Sequence, residues 1–161
     1  MKKALVVIAA LPLLVSNSSL DGHATEPAET SAAMPVSMAP EDIVAARRAT
    51  FFLSTQAIGQ IKAGIEEGGD LRRARGGARM LEGWAKALPT MFPEGTDIEG
   101  SRALANVWTD REGFEARAAT YQAAAADLAA KAAEGDRAGA DEAFRTLAGT
   151  CHACHQSYRE E

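Results

Sequence analysis

The chain has 161 residues, with 22 acidic against 17 basic side chains and a formal net charge of −5. That length argues for one domain. An acidic chain in which nothing forms a basic stripe argues against nucleic acid as a partner, and the charge otherwise bears on solubility and on encounter with charged partners.

Residues 1–24 read as a secretory signal peptide. Lys2 and Lys3 make a basic start, Ala4 to Val15 is apolar but too short to span a bilayer, and Gly22-His23-Ala24 offers the small residues a signal peptidase reads. Cleavage after Ser18 is the alternative position, and an uncleaved anchor the alternative reading. Cleavage after Ala24 removes His23 and leaves a chain of about −6 with no membrane attachment. Residues 25–39 are rich in Ala, Pro, Thr, Glu and Ser without apolar periodicity, the composition of a flexible leader.

Four helices follow. The first is expected from about Pro40 to Glu66: proline suits the first turn, and Glu41 and Asp42 suit the positive end of the helix dipole. Its stripe is Ile43, Arg47, Thr50, Phe51, Ser54, Ile58, Ile61 and Ile65. Gly68-Gly69 stops it and Asp70 caps the second, whose stripe is Leu71, Ala74, Ala78, Leu81, Trp84 and Leu88. Gly76-Gly77 is expected to weaken this helix locally, and Pro89 to end it. Residues 89–108 read as a long connection. The third helix begins near Thr109 or Asp110 and carries Phe114, Ala118, Tyr121, Ala125, Leu128 and Ala132. Gly135 closes it, and Asp136 caps a fourth that carries Phe144, Leu147, Cys151, His155 and Tyr158. The short links within each pair favour antiparallel neighbours, so the expected fold is all-α, an antiparallel four-helix bundle over residues 40–161.

The fourth helix ends on Cys151-His152-Ala153-Cys154-His155, which contains the Cys-x-x-Cys-His spacing of covalent haem c attachment. On a helix Cys151 and His155 share a face, and Cys154 lies beside them. Two thiols can then form thioethers with the haem vinyl groups while the imidazole reaches the iron. The chain has no other cysteine. Structural zinc, with His152 and His155 completing a Cys2His2 set, is too cramped within five residues. A redox dithiol usually needs a strand–helix context, which is missing here. Thioether attachment takes place outside the cytoplasm in Gram-negative bacteria, which agrees with export and points to the periplasm.

The chain resembles the cytochrome c′ family, the class II cytochromes c that include cytochrome c-556, over about residues 40–159. The resemblance is carried by Cys151-x-x-Cys154-His155 followed by Tyr158-Arg159 near the C-terminus. It also rests on Val107-Trp108-Thr109-Asp110 leading to Phe114, on Pro40-Glu41-Asp42 with Arg47 beyond, and on Ala87-Leu88-Pro89. It implies one haem c, with His155 as iron ligand. It further implies a distal side held by Phe51 in place of a methionine, and hence a five-coordinate, high-spin iron open to NO or CO. The alternative is a low-spin, cytochrome c-556-like electron carrier with a methionine as sixth ligand. No methionine lies between Pro40 and Arg79, so Met34, Met38, Met80 and Met91 are the candidates, though a methionine at helical spacing is more often core.

Arg47 is read in two ways: as the family's arginine pairing with a haem propionate, which its planar fork suits, or as a snorkelling side chain at the bundle edge. Arg48 is a helper beside it. Arg159 resembles the arginine that flanks the proximal histidine, or is a solvated charge at a helix end. Trp84 and Trp108 are expected in the core, and His152 in solvent. The family resemblance also implies electron exchange with a redox partner protein and a homodimer through the first two helices. No acid–base constellation stands near the motif, so enzymatic turnover is not expected.

Overall fold

In a computed structural model the described residues are 38–160. The expected signal peptide (1–24), most of the leader and Met34 lie outside them. Five α-helices follow in order: α1 (Pro40–Ile65), α2 (Leu71–Ala87), α3 (Asn106–Thr109), α4 (Arg111–Glu134) and α5 (Arg137–Tyr158). The four long ones, α1, α2, α4 and α5, make the expected all-α bundle.

Their ends form for local reasons. Pro40 opens α1, with Glu41 and Asp42 in its first turn. Asp70, Asp110 and Asp136 cap α2, α4 and α5 by accepting from the N–H groups of Arg72, Gly113 and Gly139 (2.9, 3.3 and 2.9 Å). Gly135 closes α4 at φ 79°, a left-handed conformation that suits glycine. The expected connection over 89–108 is more ordered than the sequence suggests. A 3₁₀ turn, Leu88–Met91, carries the chain past Pro89, and α3 precedes the Asp110 cap. Both are single turns, too short to generate an apolar period.

Helix α1 packs on α2, α2 on α4 and α4 on α5, whereas α1 and α5 scarcely touch. The bundle therefore has an open seam. At one end it is filled by small and branched side chains: Ala57, Ile61, Ala78, Leu81, Ala125, Leu128, Ala140 and Leu147. Helices α1 and α2 approach closely there. A Cβ on Gly77 would lie 2.7 Å from the Ala57 carbonyl oxygen, and one on Gly64 2.6 Å from the Ala74 nitrogen. Gly77 is thus a packing requirement, and the weakening expected from Gly76-Gly77 is offset at one of its two positions. Arg137, at the start of α5, donates to the carbonyls of Gly64, Glu66 and Gly69 and so holds the end of α1 (2.9, 2.6 and 2.7 Å).

At the other end the core turns aromatic, with Leu88, Phe92, Val107, Phe114 and Tyr158 buried together. Phe114 meets Phe92 and Tyr158 edge-on, at 5.1 and 5.3 Å between ring centroids. This end does not close.

Candidate functional site

Where α1 and α5 part there is a cavity of about 480 Å³, within the range of small-molecule and cofactor sites. Helix α1 supplies Phe51, Ser54 and Ile58, α4 supplies Phe114 and Tyr121, and α5 supplies Cys151, Cys154 and His155. Both cysteines are half-buried free thiols, and His155 stands exposed on the cavity wall. Burial pushes both thiols up, so they are neutral at pH 7. Partial burial, then the positive charges of Arg159 and His152, hold His155 below its usual range, which favours the neutral imidazole that ligates metals. Among the described residues no three His, Cys, Asp or Glu side chains converge as a metal cluster would.

The charge around the cavity runs against that of the whole chain. Arg47, Arg48, Arg102, Arg117 and Arg159 line it, and among the described residues no Asp or Glu does. In a chain of net charge −5, this suits an apolar body that carries acidic groups at its edge. The donor set fits a haem c: two thiols one helical turn apart, an imidazole beside them, apolar walls and an arginine rim.

Arg47 is only 3% exposed, so it does not snorkel, and it lines the cavity. One terminal nitrogen donates to Met91 O (3.2 Å) and Thr96 Oγ1 (2.9 Å), the other to Thr96 O (3.2 Å) and Ser101 Oγ (3.1 Å). Its guanidinium also stacks over Phe92, 4.2 Å from the ring centroid. In this structure Arg47 anchors the connection between α2 and α3 to α1. Arg48, one residue on, is exposed and lines the cavity. Arg159 reaches back over one turn, its guanidinium 3.4 Å from His155 Nδ1.

Phe51 lines the cavity and meets Trp84 edge-on at 5.4 Å. No methionine lines the cavity among the described residues. Met38 and Met80 are half exposed, and Met91 packs in the aromatic cluster. Trp108 donates to Pro93 O (3.0 Å), while the buried Trp84 indole N–H has no partner. His152 is exposed, as expected.

Sequence reasoning passed over Arg102 and Arg117. Arg102 falls in the connection, where no period applies. Arg117 lies one step off the apolar stripe of Phe114, Ala118 and Tyr121, so it reads as a solvated charge. Tyr121 read as core, yet its ring lines the cavity.

The family model for cytochrome c′ matches residues 42–159. The chain belongs to the cytochrome c′ family. The cytochrome c′ of Rubrivivax gelatinosus is 30% identical over 125 residues, 76% of this chain and 97% of that protein. The cytochrome c′ of Rhodospirillum rubrum is 36% identical over 85 residues (52% of this chain, 58% of that protein). Cytochrome c-556 from Agrobacterium tumefaciens (strain B2A) is 43% identical over 75 residues (47% and 60%). The match to these last two thus spans about three fifths of their length. Among solved structures, cytochrome c′ from Thermochromatium tepidum superposes with a TM-score of 0.71 at 28% identity, covering 77% of this chain and 98% of that one. A nitric oxide complex of a variant cytochrome c′ from Alcaligenes xylosoxidans superposes with a TM-score of 0.67 at 26% identity, covering 76% and 96%.

Proposed function

We propose that this protein carries one haem c, which Cys151, Cys154 and His155 would hold with no second side chain on the iron, and that it binds NO or CO. The observation that carries this reading is the composition of the cavity. It offers one imidazole and two thiols from α5 and, from α1, Phe51 and Phe52, whose rings have no lone pair to donate. The bound group supplies an iron that accepts one diatomic ligand and exchanges one electron.

The chain's own residues do the rest. His155 holds the metal from α5. Phe51 occupies the space from α1, with Trp84 behind it, so that only a small ligand enters by moving the ring. Arg48 and Arg102, which line the cavity, would pair with propionates, and Arg47 keeps the connection closed over that edge. Solved relatives with NO and with CO bound support the choice of ligand. Binding and one-electron exchange with a redox partner protein, without catalytic turnover, is the corresponding role. The periplasm is the compartment that thioether attachment implies. No helix among the described residues is long and apolar enough to cross a membrane. A homodimer through α1 and α2 would cover Phe52 and Leu53, which are 65% and 54% exposed.

Relatives named cytochrome c-556 motivate a second reading, a low-spin electron carrier. It needs a sixth ligand, and among the described residues no methionine lines the cavity. The absorption spectrum of the reduced protein decides between them. A broad high-spin spectrum that sharpens and shifts on adding CO is expected. Sharp low-spin bands indifferent to CO would reverse the choice.

A further inference from the structure

His155 lies in the last turn of α5, where backbone carbonyls run out of partners within the helix. The tail beyond it is held by the connection instead. Leu104 N–H donates to Tyr158 O (3.1 Å), Glu160 N–H donates to Arg102 O (2.9 Å), and Ala103 pairs with Arg159 in an isolated antiparallel bridge.

A side-chain hydrogen bond then ties this turn to the N-cap of α4. The Tyr158 hydroxyl donates to Asp110 Oδ2 at 2.6 Å, while the other carboxylate oxygen, Oδ1, accepts from Gly113 N–H at 3.3 Å as the α4 cap. Ser or Asn caps a helix about as well as Asp. The Asp110 carboxylate, with two acceptor oxygens, caps α4 and accepts from Tyr158 at once. Tyr158 is buried, wedged edge-on against Phe114, so its ring has a fixed seat. It sits three residues after His155, on the same side of the helix. Rotating this turn about its axis would carry the phenol and the imidazole together.

We propose that Asp110 is a positioning residue: through Tyr158 it sets the rotation of the last turn of α5 and so the direction in which His155 enters the cavity. This rests on His155 being the axial ligand. A caps-only role for Asp110 makes a different forecast, because a cap stabilises α4 without orienting α5.

The test uses the full-length, matured protein and three variants. Tyr158→Phe keeps the ring and removes the hydroxyl. Asp110→Ser keeps a capping oxygen that is too short to reach Tyr158. The double variant removes both partners. Each is weighed for covalent haem, and the iron–histidine stretching band of the ferrous form is recorded by resonance Raman. Both single variants should retain haem and show a shifted or broadened band. The double variant should resemble Tyr158→Phe, since the two changes break one contact. Asp136→Ala, which removes the cap at the far end of α5, should lower the melting temperature and leave the band in place. Superimposable bands in the haem-loaded single variants and the wild type would overturn the proposal, whatever the melting temperatures do. If Tyr158→Phe fails to fold, Asp110→Ser alone decides. A wild-type chain of bare polypeptide mass would defeat the reading of the site itself, and this proposal with it.

Discussion

Phe51 shows how much one side chain decides here. It is 38% exposed, with one side on the cavity and an edge contact to Trp84, and it offers the iron nothing to bind. Methionine has a similar length, high flexibility and a thioether sulfur. Phe51→Met should therefore place a donor on the distal side and convert the spectrum from high-spin to predominantly low-spin, with CO affinity falling at least tenfold. An unchanged visible spectrum in the haem-loaded variant would remove Phe51 from the distal position. The two tyrosines make a separate case. Burial, then the neighbouring Cys151, raises Tyr121 far above its ordinary value, while the hydrogen bond to Asp110 and then burial push Tyr158 up to about 12. A phenol near 10 when unfolded and higher when folded stabilises the fold fully below pH ~10. That contribution is lost as the pH rises through the folded value. Ultraviolet titration should therefore find no tyrosinate in the folded protein at pH 10.5, and a midpoint near 10 for both residues in concentrated urea. A folded-state midpoint near 10 for either would contradict its placement.

Helix boundaries were legible because their signals are local. Pro40, Asp70, Asp110 and Asp136 start helices and Gly135 ends one, each through its own backbone or nearest neighbours. Contacts between distant segments were not legible. The Arg47 partners at Met91, Thr96 and Ser101 lie in a connection that carries no period. The reach from Tyr158 back to Asp110 spans 48 positions. The candidate site was readable where its chemistry is contiguous, at Cys151, Cys154 and His155, and unreadable at Arg102 and Arg117, which join it only through the fold. The glycine pair in α2 shows the same divide. Both residues read alike in the sequence, yet Gly76 is open to solvent, whereas Gly77 faces Ala57 O and Ile61 Cγ1 at 2.7 and 2.9 Å from an added Cβ. Gly76→Ala should stabilise the protein by about 0.5–1 kcal/mol through helix propensity. Gly77→Ala should destabilise it by about 1–3 kcal/mol, because the backbone of α1 has to give way. Urea unfolding of the two variants side by side would measure both signs, and equal signs would refute the close approach of α1 to α2.

Over residues 38–160 the molecule is a bundle completed at one end only. Its Ala- and Leu-rich end buries its side chains together, while the aromatic end surrounds a cavity of about 480 Å³. The space opens to solvent along the seam, so its apolar walls stay wetted when only polypeptide is present. Collapse of α1 onto α5 would cover them, at the cost of the geometry that holds Arg47 against the connection. Five arginines around the same space add repulsion that acidic groups of a bound cofactor would relieve. The polypeptide alone is therefore expected to keep its helices but not a unique packing at this end. The variant carrying Cys151→Ala and Cys154→Ala, purified without haem, should retain most of its far-ultraviolet circular dichroism, bind a hydrophobic dye and melt over a broad range, as a partly ordered globule does. The haem-loaded wild type should melt in one sharp transition at least 15 °C higher. Equal melting temperatures and equal sharpness would mean that the cavity closes without its occupant, and that the bundle is complete as polypeptide alone.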